Sequence, residues 1–147
     1  MEITMKTNLM IENAMVDKFV LQASPFEHYV REVPLFAKSV DLVKVDTRTM
    51  QITAIEFKTT KWRKAMLQVL GSAIVFDYLE ICVLKPVTEK CQQTIIQECK
   101  NNGIGLYFID NQTKIISHDV EPVNRDGIWE IQRNQIIEYL KERIANE

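Results

Sequence analysis

The sequence predicts an α/β protein with a mixed β-sheet flanked by helices. Two segments in the N-terminal half alternate apolar and polar residues around a polar turn, as the strands of a β-hairpin do. Farther along, an apolar strand, a helix and a second apolar strand follow one another, which is the pattern of a parallel βαβ unit. Amphipathic segments precede and follow these elements. We therefore expect layers of helices on a sheet that begins antiparallel and ends parallel.

The first elements are a helix, a strand and the hairpin. Residues 8–21 place apolar side chains at helical spacing among charged ones, and Pro25 ends this amphipathic helix. A strand fits residues 28–34. The hairpin strands fit residues 39–45 and 53–58, because both alternate in a β-like way and the residues between them favour a turn.

The hairpin turn predicts which residues lie opposite one another. A turn centred near Arg48 and Thr49 makes the numbers of paired residues add up to about 97, which sets Asp41 opposite Glu56. Side chains of a strand alternate between its two faces, so Glu56 and Lys58 share one face. The hairpin is therefore expected to bring two carboxylates and one ammonium group together.

The second half of the chain supplies helices and further strands. Its predicted elements are a helix over residues 62–78, a strand over 79–84, a helix over 88–102 closed by Gly103, a strand over 104–109, an edge strand over 114–117 and a terminal amphipathic helix over 131–144.

Size and composition are those of one globular domain over residues 1–147. Hydrophobic residues make up 46% of the chain and charged residues 26%, and no repeat or linker divides it. Residues 1–13 lack the apolar stretch of a secretory signal, and the longest apolar segment, residues 65–84, is too polar to span a bilayer. We expect a cytoplasmic protein outside the membrane, with its cysteines reduced.

Two carboxylates as close as Asp41 and Glu56 repel one another unless a shared proton, a cation or a metal ion intervenes. Their oxygen ligands favour a hard ion such as Mg²⁺. Such an ion polarises a phosphoryl group and lowers the pKa of a bound water, while Lys58 could orient that water or balance charge. The alternative is a surface ion-pair cluster, because charged groups on strands are commonly solvated.

The residues SVDLV and, after the turn, IEFK resemble the signature of the PD-(D/E)XK nuclease superfamily. The order of elements from about residue 8 to residue 110 resembles its restriction-endonuclease-like three-layer core. The resemblance implies a divalent-metal-dependent nuclease that hydrolyses DNA in repair, recombination or restriction. By similarity, Asp41, Glu56 and the backbone carbonyl of Phe57 bind Mg²⁺ or Mn²⁺, and Lys58 serves the attacking water. Val40 stands where the signature has a proline.

Two further residues match the superfamily by position. Glu12 on the first helix matches a glutamate that members often carry, and Gln68 matches a polar residue on the helix after the lysine. Glu12 could instead be an ordinary solvated helix carboxylate. Gln68 could be a polar residue at the end of a buried helix.

The segment KWRK, residues 61–64, adds three cations and an aromatic ring beside the expected site. The net charge of −2 excludes a globally basic surface, so nucleic-acid binding would depend on a local patch of this kind. Lys61, Arg63 and Lys64 suit phosphate contacts, and Trp62 could stack on a base. The alternative is a helix start with its charges in water and Trp62 in the core.

The sequence does not decide the oligomeric state, and it leaves two classes of activity open, an active nuclease and a binding module. Cleavage of two DNA strands usually needs two sites, which suits a homodimer. A second hypothesis keeps the fold but assigns a catalytically weak or inactive module that binds nucleic acid or protein partners in a larger complex, and the low net positive charge favours it modestly.

Overall fold

The structure, a computed structural model, describes residues 10–146. In this range the chain is an α/β fold with a six-stranded mixed sheet flanked by helices. The helices are α1 (Glu12–Val20), α2 (Trp62–Leu70), α3 (Glu89–Asn102) and α4 (Glu130–Ala145). The strands are β1 (Glu27–Leu35), β2 (Lys38–Asp46), β3 (Gln51–Lys58), β4 (Tyr78–Leu84), β5 (Gly105–Ile109) and β6 (Ile116–Val120). The start of the predicted first helix, residues 8 and 9, lies outside the described residues.

The strands lie in the sheet in chain order. β1, β2 and β3 pair antiparallel, β3, β4 and β5 pair parallel, and β6 pairs antiparallel with β5. The predicted change from antiparallel to parallel pairing is confirmed, but the sheet does not end parallel as predicted, because the edge strand β6 returns antiparallel to β5. The edge strand lies later than predicted, at Ile116–Val120, because Lys114 adopts a φ of 63° and its N–H donates to the carbonyl of Asp110 in a turn.

The β2–β3 hairpin has the predicted register. Leu42 pairs with Ile55, Val43 pairs with Ala54, and every pair down to Asp46 and Gln51 adds up to 97. In the turn, the backbone N–H of Arg48 donates to the Asp46 carboxylate at 2.9 Å. This local hydrogen bond is of the kind by which aspartate favours turns.

The helix after β3 is shorter than predicted. α2 ends at Leu70 rather than at residue 78, and residues 71–75 form turns. The reason is tertiary, because β4 already pairs with β3 at Tyr78. Just before it, the Asp77 carboxylate accepts hydrogen bonds from the N–H of Ile52 at 2.8 Å and from Arg133 at 2.6 Å. These contacts hold residue 77 at the sheet and leave no room for further helical turns.

Helices cover both faces of the sheet. α1 packs Met15, Val16 and Phe19 onto one face, where Phe19 makes edge-to-face contacts with Tyr29, Phe57 and Tyr107 at centroid distances of 5.7, 5.5 and 4.7 Å. Such pairs stabilise a core by about 0.5–1.5 kcal/mol each beyond their buried area. α2, α3 and α4 pack onto the other face in a second apolar cluster. In the described range, no helix has the length and apolar character that a membrane crossing requires.

The ends of α3 follow the chemistry of its sequence. The side chain of Thr88 accepts a hydrogen bond from the N–H of Cys91 at 3.2 Å and so caps the helix. Gly103 ends it with a φ of 67°, a conformation that suits a residue without a side chain. Cys91 and Cys99 face the core from this helix, and their thiols are free.

Candidate active site

The candidate site lies where β2 and β3 separate. The backbone pairing between them reaches Leu42 and Ile55. One residue farther, the Asp41 carboxylate accepts the hydrogen bond of the Phe57 N–H at 2.8 Å. Asp41 therefore extends its carboxylate between the strands, where it interacts with Glu56. The register predicted this proximity.

An irregularity in β1 and β2 coincides with Asp41. The pairing of these strands omits Glu32 and Asp41, and Glu32 has a φ of 50°, which is uncommon for a residue with a side chain. Val40 packs with the cluster under α2, whereas Leu42 packs under α1. Regular alternation would place both on one face. The strand therefore changes phase at Asp41.

Glu56 is a buried carboxyl group. It is 3% exposed, and its Oε2 has no hydrogen-bond partner. Burial raises the pKa of Glu56 to about 8, and the charge and hydrogen bonding of the Asp41 side chain act in the same direction. The nearby ammonium of Lys38 opposes this rise. A carboxyl with this pKa keeps its proton at neutral pH until a cation compensates its charge.

Lys58 and Glu12 form an ion pair at the end of β3. The Lys58 Nζ lies 3.8 Å from the Glu12 Oε2, and the side chains are 20% and 43% exposed. Among the ion pairs of residues 10–146, Lys58 is joined to Glu12 and not to Asp41 or Glu56. The structure thus brings Asp41 together with Glu56, and Lys58 together with Glu12. Lys58 can reach Glu12 because it is the last residue of β3 and its long side chain extends to the helix that covers the other face.

Lys38 is a neighbour of Glu56 that the sequence did not reveal. Its Nζ donates to the backbone carbonyl of Gln68 at 3.1 Å, and its charge acts on Glu56. The half-buried Gln68 therefore takes part here through its backbone. Lys38 precedes Asp41 by three residues, a spacing that regular alternation places on the opposite face. Nothing in the sequence indicates the change of phase at Asp41, which makes the expectation of opposite faces wrong.

The three cations of the KWRK segment are exposed, while its tryptophan is half-buried. Trp62 packs against the core cluster under α2, and the Arg63 guanidinium lies 4.2 Å from its ring centroid. The ring also borders a cavity of about 810 Å³ beside the carboxyl ends of β4 and β5, together with Thr60 and Lys85. Ligands of α/β proteins commonly bind outside the carboxyl ends of the strands.

The acidic pair has the donor set for a hard metal ion. Within residues 10–146, no group of three or more His, Cys, Asp or Glu side chains is arranged to hold a metal. An ion would depend on Asp41, Glu56, the carbonyl of Phe57 and water. Mg²⁺ usually keeps several waters and needs only one or two carboxylates. The unpartnered Oε2 of Glu56 fits such an ion, because a buried carboxylate oxygen needs a cation or a hydrogen bond.

Comparisons with known proteins show a shared fold. No protein-family model matches the chain, and no curated protein matches it. Among solved structures, the chain is similar to SPO1766, a protein of unknown function from Silicibacter pomeroyi. The TM-score is 0.67 at 16% sequence identity, over 93% of this chain and 88% of that one. At this identity the likeness shows the fold and carries no information on activity.

Proposed function

We propose that the chain is a nuclease of the PD-(D/E)XK superfamily that uses Mg²⁺ or Mn²⁺ to hydrolyse phosphodiester bonds of DNA. The observation that supports this most is the Asp41–Glu56 pair, in which a buried carboxyl with an unpartnered oxygen interacts with a second carboxylate. The pair joins the two segments, SVDLV and IEFK, that resemble the superfamily signature. A proton relieves the repulsion of such a pair in the absence of metal, and a cation that replaces the proton would give the unpartnered oxygen a partner.

In this proposal each side chain has a task that its contacts favour. The hydrogen bond from the Phe57 N–H orients the Asp41 carboxylate. Glu56 releases its proton when it becomes a ligand. Lys58, held by Glu12, donates a hydrogen bond to the attacking water or to a phosphoryl oxygen. A bound Mg²⁺ would polarise the phosphoryl group and lower the pKa of a water.

The basic patch Lys61, Arg63 and Lys64 is the proposed contact with the DNA backbone. The three side chains are exposed and follow β3, the strand that carries Glu56 and Lys58. Phosphate contacts of this kind position a nucleic acid without reading its sequence. Because one chain offers one such site, cleavage of both strands would use a homodimer.

The test is DNA cleavage by purified protein with 5 to 10 mM Mg²⁺ or Mn²⁺, measured on supercoiled plasmid and on labelled single strands. These concentrations are of the order of magnitude that saturates weak carboxylate sites, roughly the millimolar range. We expect Asp41→Asn, Glu56→Gln and Lys58→Ala each to lower the rate by about 100-fold or more, because each removes a group that acts in the transition state. Glu12→Gln should lower it less, because Glu12 acts through Lys58.

Glu98→Gln and Lys100→Ala are the matched controls. Both side chains are exposed on α3, and both substitutions make the same change in charge as their counterparts at the site. Control variants should keep the wild-type rate. The proposal is contradicted if cleavage activity persists in Asp41→Asn and Lys58→Ala, or if every variant preparation contains the same activity, as a copurifying nuclease would produce.

A second candidate function is a nuclease-fold module that binds nucleic acid or a protein partner with little or no catalysis. The pairing of Lys58 with Glu12 rather than with the acidic pair favours it. In that case no cleavage is detected, calorimetry shows no binding of Mg²⁺, and Asp41→Asn leaves DNA binding unchanged. Metal binding that depends on Asp41 and Glu56 would exclude this alternative.

A further inference from the structure

The cavity of about 810 Å³ at the carboxyl ends of β4 and β5 lies beside the candidate active site. Lys58 of β3 pairs with Val83 of β4, and Val83 lines the cavity. Paired residues of neighbouring strands are roughly 5 Å apart. Val83 packs in the cluster under α2, on the face that also carries Ala54 and, by alternation, Glu56. The cavity is therefore on the same face of the sheet as Glu56 and near the same edge.

The walls of this larger cavity combine apolar side chains with a few polar groups. Trp62 of α2 and Ile95 of α3 border it, as does Val87, which is 99% exposed. The Gln92 side chain donates to the carbonyl of Pro86 at 2.7 Å, and this bond fixes the amide at the wall. Apolar and aromatic walls with a few positioned polar groups, and volumes of about 300–1,000 Å³, are typical of sites for small organic groups.

Cations surround the cavity on two sides. Lys85 borders it, while Arg63 and Lys90 border a smaller cavity of about 260 Å³ that shares Trp62 with the larger one. Among the described residues that border the two cavities, Asp110 is the only carboxylate. Hydrogen bonds from N–H groups of the turn that follows lower the pKa of Asp110, and the charge of Lys85 acts in the same direction. A phosphate is thus favoured at the cations, and a hydrogen-bond donor, such as a base offers, is favoured beside Asp110.

An unpaired nucleic-acid base fits this combination of ring and charge. Sites for single strands combine cations that follow the backbone with aromatic side chains on which bases stack. Trp62 borders both cavities, with cations at each. The Arg63 guanidinium, 4.2 Å from the ring centroid, covers the ring from the smaller cavity, so the larger cavity is the place for a base. In a duplex the faces of each base are covered by stacked neighbours, and only its edges can be reached.

We propose that the larger cavity binds one unpaired base of the DNA strand that the acidic pair cuts, with the base against Trp62 and the flanking phosphates at Lys85 and Arg63. The substrate class is therefore DNA with a single-stranded segment or end, and not continuous duplex. The inference rests on the proposed nuclease function, because the acidic pair places the strand beside the cavity.

The test is the fluorescence of Trp62 in the full-length Trp129→Phe variant, titrated with DNA in EDTA so that no strand is cut. Trp129 is the other of the two tryptophans, is 56% exposed and borders neither cavity. The probe is an oligonucleotide of about eight thymidines, a length within the range that single-strand sites cover. We expect saturable quenching, because a base in contact with the indole ring quenches its emission.

Four controls separate the base from the phosphates. An abasic oligonucleotide of the same length should bind more weakly by about tenfold or more, because it cannot stack. A hairpin duplex should leave the Trp62 emission unchanged. Trp62→Phe, in which Trp129 alone reports, should show no quenching by the thymidine oligonucleotide. Lys85→Ala should weaken binding by about threefold or more, whereas Lys100→Ala, the same change on an exposed part of α3, should alter it by less than about twofold.

Three outcomes would overturn the proposal. The absence of saturable Trp62 quenching would mean that no base reaches the cavity. Equal affinities for the thymidine and abasic oligonucleotides would mean attraction of phosphates alone. Equal quenching by the duplex would mean that the cavity does not select an unpaired base. If Trp129→Phe fails to fold, anisotropy of the labelled oligonucleotides with wild type and Lys85→Ala, under the same tenfold and threefold criteria, replaces the titration.

The titrations contain no metal, so they are independent of catalysis. The expected binding together with an absence of cleavage in Mg²⁺ or Mn²⁺ would support the base site and contradict the nuclease function. Cleavage that depends on Asp41 without the expected binding would overturn the base site and leave the nuclease function supported.

Discussion

The pKa of Glu56 predicts how the stability of the metal-free protein changes with pH. Between its ordinary pKa of 4.5 and its folded-state pKa of about 8, Glu56 is protonated in the folded protein and ionised in the unfolded chain. The folded state then binds more protons, so its stability falls as pH rises through this range and levels off above pH 8. The two pKa values differ by about 3.5 pH units, each equivalent to roughly 1.4 kcal/mol. The contribution lost is thus of order 5 kcal/mol.

Glu56→Gln removes this dependence, because glutamine resembles the protonated acid in shape and cannot ionise. Urea unfolding in EDTA from about pH 5 to pH 9 measures the free energy of unfolding of both proteins. We expect similar stability near pH 5 and an advantage of several kcal/mol for Glu56→Gln near pH 8.5. Mg²⁺ at the higher pH should raise the stability of wild type alone, since it binds the ionised pair.

Glu98→Gln is the matched control, because this carboxylate is exposed on α3. Its free energy of unfolding should follow that of wild type across the pH range. If the curves of wild type and Glu56→Gln stay parallel from about pH 5 to pH 9, the carboxyl is ionised throughout, and the argument from burial and from the Asp41 charge is wrong.

Two other predictions concern DNA binding and the attachment of α4. Replacing Lys61, Arg63 and Lys64 with alanine should weaken DNA binding and lower the slope of log K against log salt by about 2–3 in fluorescence anisotropy, since three phosphate contacts are lost. An unchanged slope would remove this patch from the interface, and Lys100→Ala with Lys141→Ala is the control. Arg133→Ala leaves the carboxylate of Asp77, 8% exposed, without its ion pair at 2.6 Å. We expect the free energy of unfolding, measured in urea, to fall by about 2–3 kcal/mol. The control Arg143→Ala, at an exposed residue, should lower it by less than about 0.5 kcal/mol. Equal losses in the two variants would refute the role of the Asp77–Arg133 pair.

Glu80 is a single charged residue within an apolar strand segment, and the sequence therefore indicated that it is unusual. The segment LEICVL predicts a strand buried on both faces, and the structure confirms it. A lone carboxylate in such a strand must find a polar partner or a ligand. The partners are Lys44 and His118 on distant strands, so the sequence could indicate that Glu80 is special but not what it contacts.

Local rules determined the parts of the fold that depend on neighbouring residues. The turn after Asp46 sets the register of the hairpin. Once the first pair of opposite residues is fixed, the numbers of every further pair along both strands add up to the same value. For this reason Asp41 and Glu56, fifteen residues apart in the chain, could be placed together in advance. The βαβ unit and the start and end of α3 follow in the same way from strand pattern, cap and glycine.

Tertiary structure alone decided how the candidate site is completed. The change of phase at Asp41 requires β1, whose Glu32 lies opposite it with a positive φ. The end of α2 depends on the bonds of Asp77 to Ile52 and Arg133. Lys58 is paired with Glu12 because α1 lies over the neighbouring face. These partners come from distant parts of the chain. The sequence by itself therefore determined the acidic pair, whereas packing decided which cations surround it.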